Sequence, residues 1–392
     1  MVEGLARSPT AEHDELRAFV RQLADERIAP RAAEIDAKAE FPWDLKELLA
    51  EHDLLGTAFE ERYGGTALDG IGQCIVVEEI ARADATTSLI PIVQKLGALP
   101  IVLAGNDEQK ERYLPRLTSG EWLAAFGLTE AGAGSDVAAL RMRATRTADG
   151  YRLTGSKRFI THGSIANLVT VFALTDPDAG GKKGTSAFIV ETDTPGFSAP
   201  RLEHKMGIRG SPTAELVLED VVVPEVNRLG AEGDGFRIAL ATLDRSRLSI
   251  AAQAVGIASG ALDAAVAYAV DRQQFGSRVA EFEGIQFMLA DMAAGTEAAR
   301  QLTYAAAARV DLGTDDLAYW TSTAKIIAGD NAMRVTTDAV QVLGGYGYVT
   351  EYPVERMMRD AKITQLYEGT QQIQRLIVAR QLLQRAGVSA RR

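Results

Sequence analysis

Residues 363 to 375 read ITQLYEGTQQIQR. Ile363 and Leu366 before the centre of this stretch, and Ile373, Leu376 and Ile377 after it, are expected to face a core. Glu368 stands between them, followed at once by the helix breaker Gly369. An unpaired carboxylate held away from water is costly, so it takes up a proton or finds a partner. No cation lies beside Glu368 in sequence, and burial would raise its pKa by roughly one to a few units. That is the profile of a general base working near neutral pH. The alternative is a solvent-facing Glu368 in a loop, with Thr370 capping the last helix.

Four other stretches carry candidate chemistry. In FGLTEAGAGSDV, residues 126 to 137, Gly132, Gly134 and Ser135 form a permissive loop whose backbone N–H groups can approach a ligand. A plain structural turn explains the same glycines, and no G-x-G-x-x-G opens a helix after a strand. In KRFITHG, residues 157 to 163, Phe159 offers an aromatic face and Thr161 a hydroxyl at a strand end. One core residue and one strand-edge threonine is the bland reading. In DRQQFG, residues 271 to 276, Arg272 falls at a helix end before Phe275 and Gly276. Its guanidinium suits a pyrophosphate, or simply the helix dipole. In QVLGGYGY, residues 341 to 348, Gly344 and Gly345 end a helix and Gln341 can hydrogen-bond a ligand.

The elements that must position these residues divide the chain in three. The 392 residues are 46% hydrophobic and 24% charged, a balance that supports two or three domains. A net charge of -11 gives no general attraction to nucleic acid or anionic lipid. The one cysteine, Cys74, sits in an apolar run and reads as a buried structural thiol, so cysteine metal clusters and intramolecular disulfides are excluded. The N-terminal stretch lacks a signal or transit pattern, and no uncharged apolar run looks long enough to span a bilayer. A cytoplasmic protein is expected.

Residues 1–121 read as helical. Asp14 is the expected cap of the first helix, which Pro30 ends, and two buried helices are expected to join near Pro91. Asn106 caps a further helix. Residues 122–235 shift to β-branched runs and turn signals, with a hairpin around the Ala148-Asp149-Gly150 turn. Residues 236–392 are Ala-rich, with helices expected from Phe236 to Asp271, Phe282 to Leu312 and Asp316 to Leu343, and a last one after Thr370. The expected fold is mainly α with a central antiparallel, barrel-like β domain between an N-terminal helical domain and a C-terminal four-helix bundle.

The ordered set LTEAGAGSD, RFITHG, KMGIRGSPTAEL, DRQQFG, QVLGGYGY and YEGTQQIQR resembles the acyl-CoA dehydrogenase family over essentially the whole chain, and most closely its short-chain and short/branched-chain members. The resemblance implies one non-covalent FAD per subunit. Phe126, Leu128, Thr129, Gly134 and Ser135 would line the flavin, with Phe159, where many members carry tryptophan, and Thr161 behind the ring. Arg272, Phe275, Gln341 and Gly345 would reach the adenosine-diphosphate half of an FAD held by a neighbouring subunit. Thr370 and Gln372 would complete the site.

The resemblance also implies a homotetramer, or dimer of dimers, and electron-transfer flavoprotein as acceptor. Glu368 matches the family's base, which removes the α-proton as hydride leaves the β-carbon for flavin N5. Tyr367 and Gly369 flank it against the substrate, and its own N–H, with a ribityl hydroxyl, would hold the thioester carbonyl. Ser246 occupies the position where isovaleryl and long-chain members carry their base. Asp244 and Arg247 match positions that contact the CoA arm, and Ser135 is placed to touch the pantetheine; a local helix ion pair is the alternative for Asp244 and Arg247. Two other functions compete: an acyl-CoA oxidase using oxygen, and a flavin-loaded, DNA-associated protein of the alkylation-response kind.

Overall fold

The computed structural model describes residues 9–388, so the first eight and last four residues of the two expected outer domains lie outside it. Helix α1 (Ala11–Leu23) is capped by Thr10, not by the expected Asp14. The Thr10 hydroxyl accepts from the His13 N–H at 3.4 Å while His13 Nδ1 accepts from the Thr10 N–H at 3.0 Å. Pro30 does not end the run. The chain rewinds through a π turn (Ala24–Ile28) and a 3-10 turn (Ala29–Arg31) into α2 (Ala32–Lys38). Pro30 sits at the start of that 3-10 turn, where its missing N–H has no partner to lose. α3 (Trp43–Glu51) follows Pro42.

α4 (Gly70–Ala83) and α5 (Ala85–Ala104) meet at Asp84 rather than at Pro91. Extended backbone at Asp84 breaks the first helix, and its carboxylate caps the second, accepting from the Thr87 N–H at 2.8 Å and the Thr87 hydroxyl at 2.6 Å. Pro91 and Pro100 both lie inside α5, whose burial outweighs their cost of about 3 kcal/mol each. Cys74 is buried on α4, and burial pushes its thiol up to about 12. α6 (Asp107–Thr118) has the expected Asn106 cap, completed by Gln109.

The central sheet holds β1 (Ala124–Gly127), β2 (Arg143–Thr147), β3 (Gly150–Thr161), β4 (Leu168–Leu174), β5 (Thr185–Glu191), β6 (Phe197–Leu202), β7 (Thr213–Pro224) and β8 (Arg228–Leu229), with a one-turn helix α7 (Gly181–Gly184) before β5. Their order is β6-β7-β3-β2-β4-β5-β8, with β1 on β4. The sheet is not purely antiparallel, because β1 and β2 each pair with β4 in parallel. β1 starts level with β4 because the Leu123 N–H donates to Asn167 Oδ1 at 3.0 Å. β4 is buried along its whole length, which is why it reads as an unbroken apolar run.

The C-terminal third comprises α8 (Gly235–Asp271), a hairpin of β9 (Gln273–Gln274) and β10 (Ser277–Arg278), α9 (Glu283–Leu312), α10 (Leu317–Leu343), α11 (Val354–Ala361) and α12 (Gln371–Arg385). Alanines 251, 254, 258, 261, 307, 324, 328 and 332 fill its core and let helices approach closely. Gly256 and Gly260 carry this furthest. A Cβ on either would stand 2.2 Å from a carbonyl of α4, at Glu78 or Arg82, so α8 and α4 cross almost backbone to backbone. α5 and α8 are, against expectation, long and apolar enough to cross a bilayer; 72% of each apolar window is buried in the fold, which makes them core helices.

The three regions are pinned at one corner. The β6–β7 loop donates the Ile208 N–H to Asp360 Oδ1 on α11 at 2.5 Å. Arg359 reaches from the same helix to the Met206 carbonyl at 3.0 Å and to Asp36 on α2 at 2.6 Å. That corner leads directly into the segment carrying Glu368.

Candidate active site

Between α11 and α12 the chain passes through a short 3-10 turn (Lys362–Gln365) and then leaves regular structure. Glu368 has φ +49° and Gly369 φ +90°, two successive left-handed residues. A non-glycine residue held there is strained and persists only when its surroundings fix it. Here Gln374 Nε2 donates to the Glu368 carbonyl at 3.0 Å and the Gly369 carbonyl at 3.1 Å. A Cβ at Gly369 would lie 2.5 Å from that amide and displace it, and the φ of +90° itself favours glycine.

The Glu368 carboxylate points inward. Oε2 accepts from the Ser246 hydroxyl on α8, and Oε1 is buried with no hydrogen-bond partner. Burial raises its pKa, while Ser246, Arg247, Lys325 and Lys95, in that order, oppose the rise. The Glu368 N–H makes no hydrogen bond among the described residues. Tyr367 beside it donates to Gln253 Oε1 of α8, and burial raises its phenol well above the ordinary value. Two hydrogen-bonding groups of one residue, a carboxylate oxygen and a backbone N–H, therefore have no partner among the described residues. Thr370 caps α12 through the Ile373 N–H at 3.3 Å, so the capping role and a buried Glu368 coexist.

Arg247 and Asp244 form the local α8 ion pair at 2.5 Å, with Arg247 buried and its Nε unpartnered. Phe126 lies on β1 against Phe172, ring centroids 5.0 Å apart. Leu128 is buried, and the Thr129 carbonyl accepts from the Arg158 N–H at 2.8 Å. Gly134 and Ser135 are exposed, with open space where a Cβ at Gly134 would stand. Phe159 is the unusual member of this group: φ +57°, 60% exposed, and placed on a bulge between β3 and β7. A large aromatic turned out of a sheet in this way marks a ligand face more than a core position. Thr161 ends β3, half-buried.

Sequence reasoning missed Lys157. It is fully buried and donates to the Leu128 carbonyl at 3.1 Å and to Glu130 at 2.8 Å, tying the 126–135 segment to the 157–161 segment. Glu130 in turn accepts from the Arg141 and Met142 N–H groups and closes the glycine loop. Burial lowers the Lys157 ammonium to about 8. Gln372 is exposed; the buried glutamines of α12 are Gln371 and Gln374.

A second cluster lies at the other end of α8. Arg272 ends that helix twenty-six residues beyond Ser246, about 39 Å at 1.5 Å per residue. Its guanidinium lies 5.4 Å from the Tyr346 ring centroid, beside a cavity of about 500 Å³ lined by Gln274, Leu343, Gly344, Gly345 and Val349. Phe275, 95% exposed with φ +54°, tips the β9–β10 turn, and Gln341 is exposed at the end of α10. The structure thus separates Arg272, Phe275, Gln341 and Gly345 from Glu368 of the same chain.

The acyl-CoA dehydrogenase N-terminal, middle and C-terminal domain families match residues 10–121, 125–221 and 233–383. The probable acyl-CoA dehydrogenase FadE25 of Mycobacterium tuberculosis is 50% identical over 372 residues, 95% of each chain. The structure of butyryl-CoA dehydrogenase from Megasphaera elsdenii superposes with a TM-score of 0.93 at 44% identity, covering 96% of this chain and 100% of that one. PigA, solved with FAD and proline, superposes with a TM-score of 0.92 at 26% identity, covering 97% and 100%. With three domain families matched in order and half the residues shared with one relative, the chain is an oxidoreductase that belongs to the acyl-CoA dehydrogenase family.

Proposed function

We propose that the chain dehydrogenates a short or short-branched acyl-CoA thioester between Cα and Cβ, with Glu368 as the α-proton base and FAD as the non-covalent cofactor. The observation that carries this reading is the buried, partnerless Glu368 Oε1 beside a free Glu368 N–H. FAD fits the residues present. The outward-turned ring of Phe159, the hydroxyls of Thr129, Ser135 and Thr161, and the open loop at Gly134 lie on two segments that Lys157 draws together. Phe126 and Leu128 complete the apolar side of that wall, and Thr370 and Gln372 close it after the base. When bound, FAD supplies the hydride acceptor.

The chain's own residues do the rest. Ser246 holds Oε2 and leaves Oε1 free for the α-proton. The Glu368 N–H is placed to donate to the thioester carbonyl, an interaction that strengthens as charge develops there and is worth about 3–4 kcal/mol per donor in a dry site. Tyr367 and Gly369 border the acyl group, while Asp244, Arg247 and Ser135 receive the CoA arm. Arg272, Phe275, Gln341 and Gly345 serve the adenosine-diphosphate half of a neighbour's FAD, because about 39 Å of helix separates them from their own Glu368. That division is consistent with the homotetramer, or dimer of dimers, that the family resemblance implies, and electron-transfer flavoprotein is the proposed acceptor.

Anaerobic reduction of the purified flavoprotein across straight, branched and dicarboxylic acyl-CoA thioesters tests the reading. Short straight or short-branched thioesters are expected to bleach the flavin fastest; a spectrum unchanged by the whole panel would overturn it. Stoichiometric peroxide in air without an added acceptor would instead identify an oxidase. Arg272→Ala is expected to lose FAD on dilution without losing helix content. A variant that stays fully loaded would remove Arg272 from the phosphate site.

A further inference from the structure

Two lysines stand among the helices around the base with no carboxylate in ion-pair range among the described residues: Lys95 on α5 and Lys325 on α10. Lys95 donates to Gln73 Oε1 at 2.7 Å, within its own helical layer. Lys325 is fully buried and reaches the catalytic segment itself. Its Nζ donates to the Gly369 carbonyl at 2.8 Å and to Gln371 Oε1 at 3.3 Å. α10 grips the segment again five residues on. Asp330 accepts from Gln365 at 2.8 Å, from Gln371 at 2.9 Å and from Arg375 at 2.7 Å. Residues before and after the left-handed Glu368–Gly369 pair are thus tied to one helix, and the lysine bond falls next to the base.

We propose that Lys325 is a positioning residue for proton abstraction: its ammonium fixes the Gly369 carbonyl and adds, alongside Arg247, positive charge that stabilises the neighbouring Glu368 carboxylate away from water. This rests on Glu368 being the base. A buried ammonium without an ion-pair partner is costly, so its retention there needs a compensating charge, and Glu368 is the largest electrostatic influence that favours its charged form. The other charged and titratable groups around Glu368 are accounted for. On α8, Arg247 pairs with Asp244 and also favours the ionised Glu368, ahead of Lys325, while Arg245 bonds the Ala241 carbonyl. Lys95 faces it from α5, and Tyr367 adjoins it in the chain. On α11, Asp360 is held by the Ile208 N–H, and on α12 Arg375 is paired with Asp330.

The test is an infrared titration of the Glu368 carboxyl, its band identified by loss in Glu368→Gln, in wild type, Lys325→Gln and Lys325→Arg holoenzymes. Lys325→Gln keeps a donor for the Gly369 carbonyl but removes the charge. Its carboxyl midpoint is expected to rise by about one pH unit, and the acid limb of anaerobic flavin reduction to rise with it. Lys325→Arg is expected to stay within about 0.3 unit of wild type. An unmoved midpoint in Lys325→Gln, or equal shifts in both variants, overturns the proposal. Should Lys325→Gln fail to fold, wild type decides. Burial lowers the Lys325 ammonium to about 7, so the ionised Glu368 band is expected to shift a second time as that lysine loses its proton, and a band that moves in a single step overturns the proposal. The infrared readout needs no turnover; if Glu368 is not the base, its glutamine variant still reduces the flavin while the band shift is judged separately.

Discussion

Glu368→Gln is expected to keep FAD and fold but to reduce its flavin at least about 100-fold more slowly than wild type, the lower end of the loss when a general base is removed. Glutamine has the same length, and its amide oxygen can still accept from Ser246, so the left-handed turn and the Gln374 bonds to the main chain stay in place. What disappears is the carboxylate whose Oε1 is buried without a hydrogen-bond partner. No neighbour replaces it: Ser246 is an alcohol, the Tyr367 phenol is raised far above its ordinary value, and Lys325 spends its donors on Gly369 and Gln371. Stopped-flow reduction under nitrogen measures the effect, and near-normal reduction would place the base elsewhere.

The pH profile gives a second reading of the same group. Burial raises the Glu368 pKa above 4.5, and the working form is the carboxylate. The wild-type rate should therefore fall as pH drops through a value higher than that of an ordinary glutamate. The residual rate of Glu368→Gln should be flat across the same range.

Glu368 was legible in sequence as a candidate because a carboxylate and a glycine interrupt an apolar pattern, a local signal. The long bundle helices were legible for the same reason: α8, α9 and α10 end within one residue of expectation, since their alanine-rich periodicity runs unbroken into glycine or arginine. The α4–α5 boundary was not. Pro91 is the louder punctuation, yet the break belongs to Asp84, whose capping bonds exist only once Thr87 is helical.

Lys157 and Lys325 escaped notice because a lysine within a strand or helix normally snorkels to solvent, and nothing local says that its ammonium ends on another segment's carbonyl. The two exposed aromatics with left-handed backbone, Phe159 and Phe275, could be named from sequence but not their strain, which depends on a bulge and a turn fixed by strand pairing. The split of the candidate residues into two clusters was expected from the family resemblance, and α8, one helix from Gly235 to Asp271, gives it a length.

Arg17→Met is expected to lower stability by roughly 2–3 kcal/mol, a fall of several degrees in thermal midpoint at fixed protein concentration, while leaving low-temperature turnover within about twofold. α4 carries two consecutive glutamates, Glu78 and Glu79, with 2% and 0% of their surface exposed. Arg17 on α1 reaches both, so the first helix of the chain is bolted to the interior by buried charge. Arg300 on α9 meets Glu78 at 2.7 Å, Tyr304 donates to it at 2.6 Å, and Arg21 meets Glu79 at 2.8 Å.

Breaking a buried pair by removing one partner costs about 3–5 kcal/mol; these surviving partners keep the expected loss below that. Arg31 supplies the contrast. It pairs with Glu34 and Asp44, each more than two-fifths exposed, and Arg31→Met should cost no more than about 1 kcal/mol. Added salt should erase the Arg31 effect and leave the Arg17 effect, because screening acts on exposed pairs. The network's bonds join α1, α4, α9 and Ser259 of α8, and none reaches Glu368, Ser246 or Tyr367. If Arg17→Met lost turnover at temperatures where it remains folded, the packing of α4 on α8 at Gly256 and Gly260 would have to transmit the change to Ser246. The mounting of the base would then extend through the whole helical core.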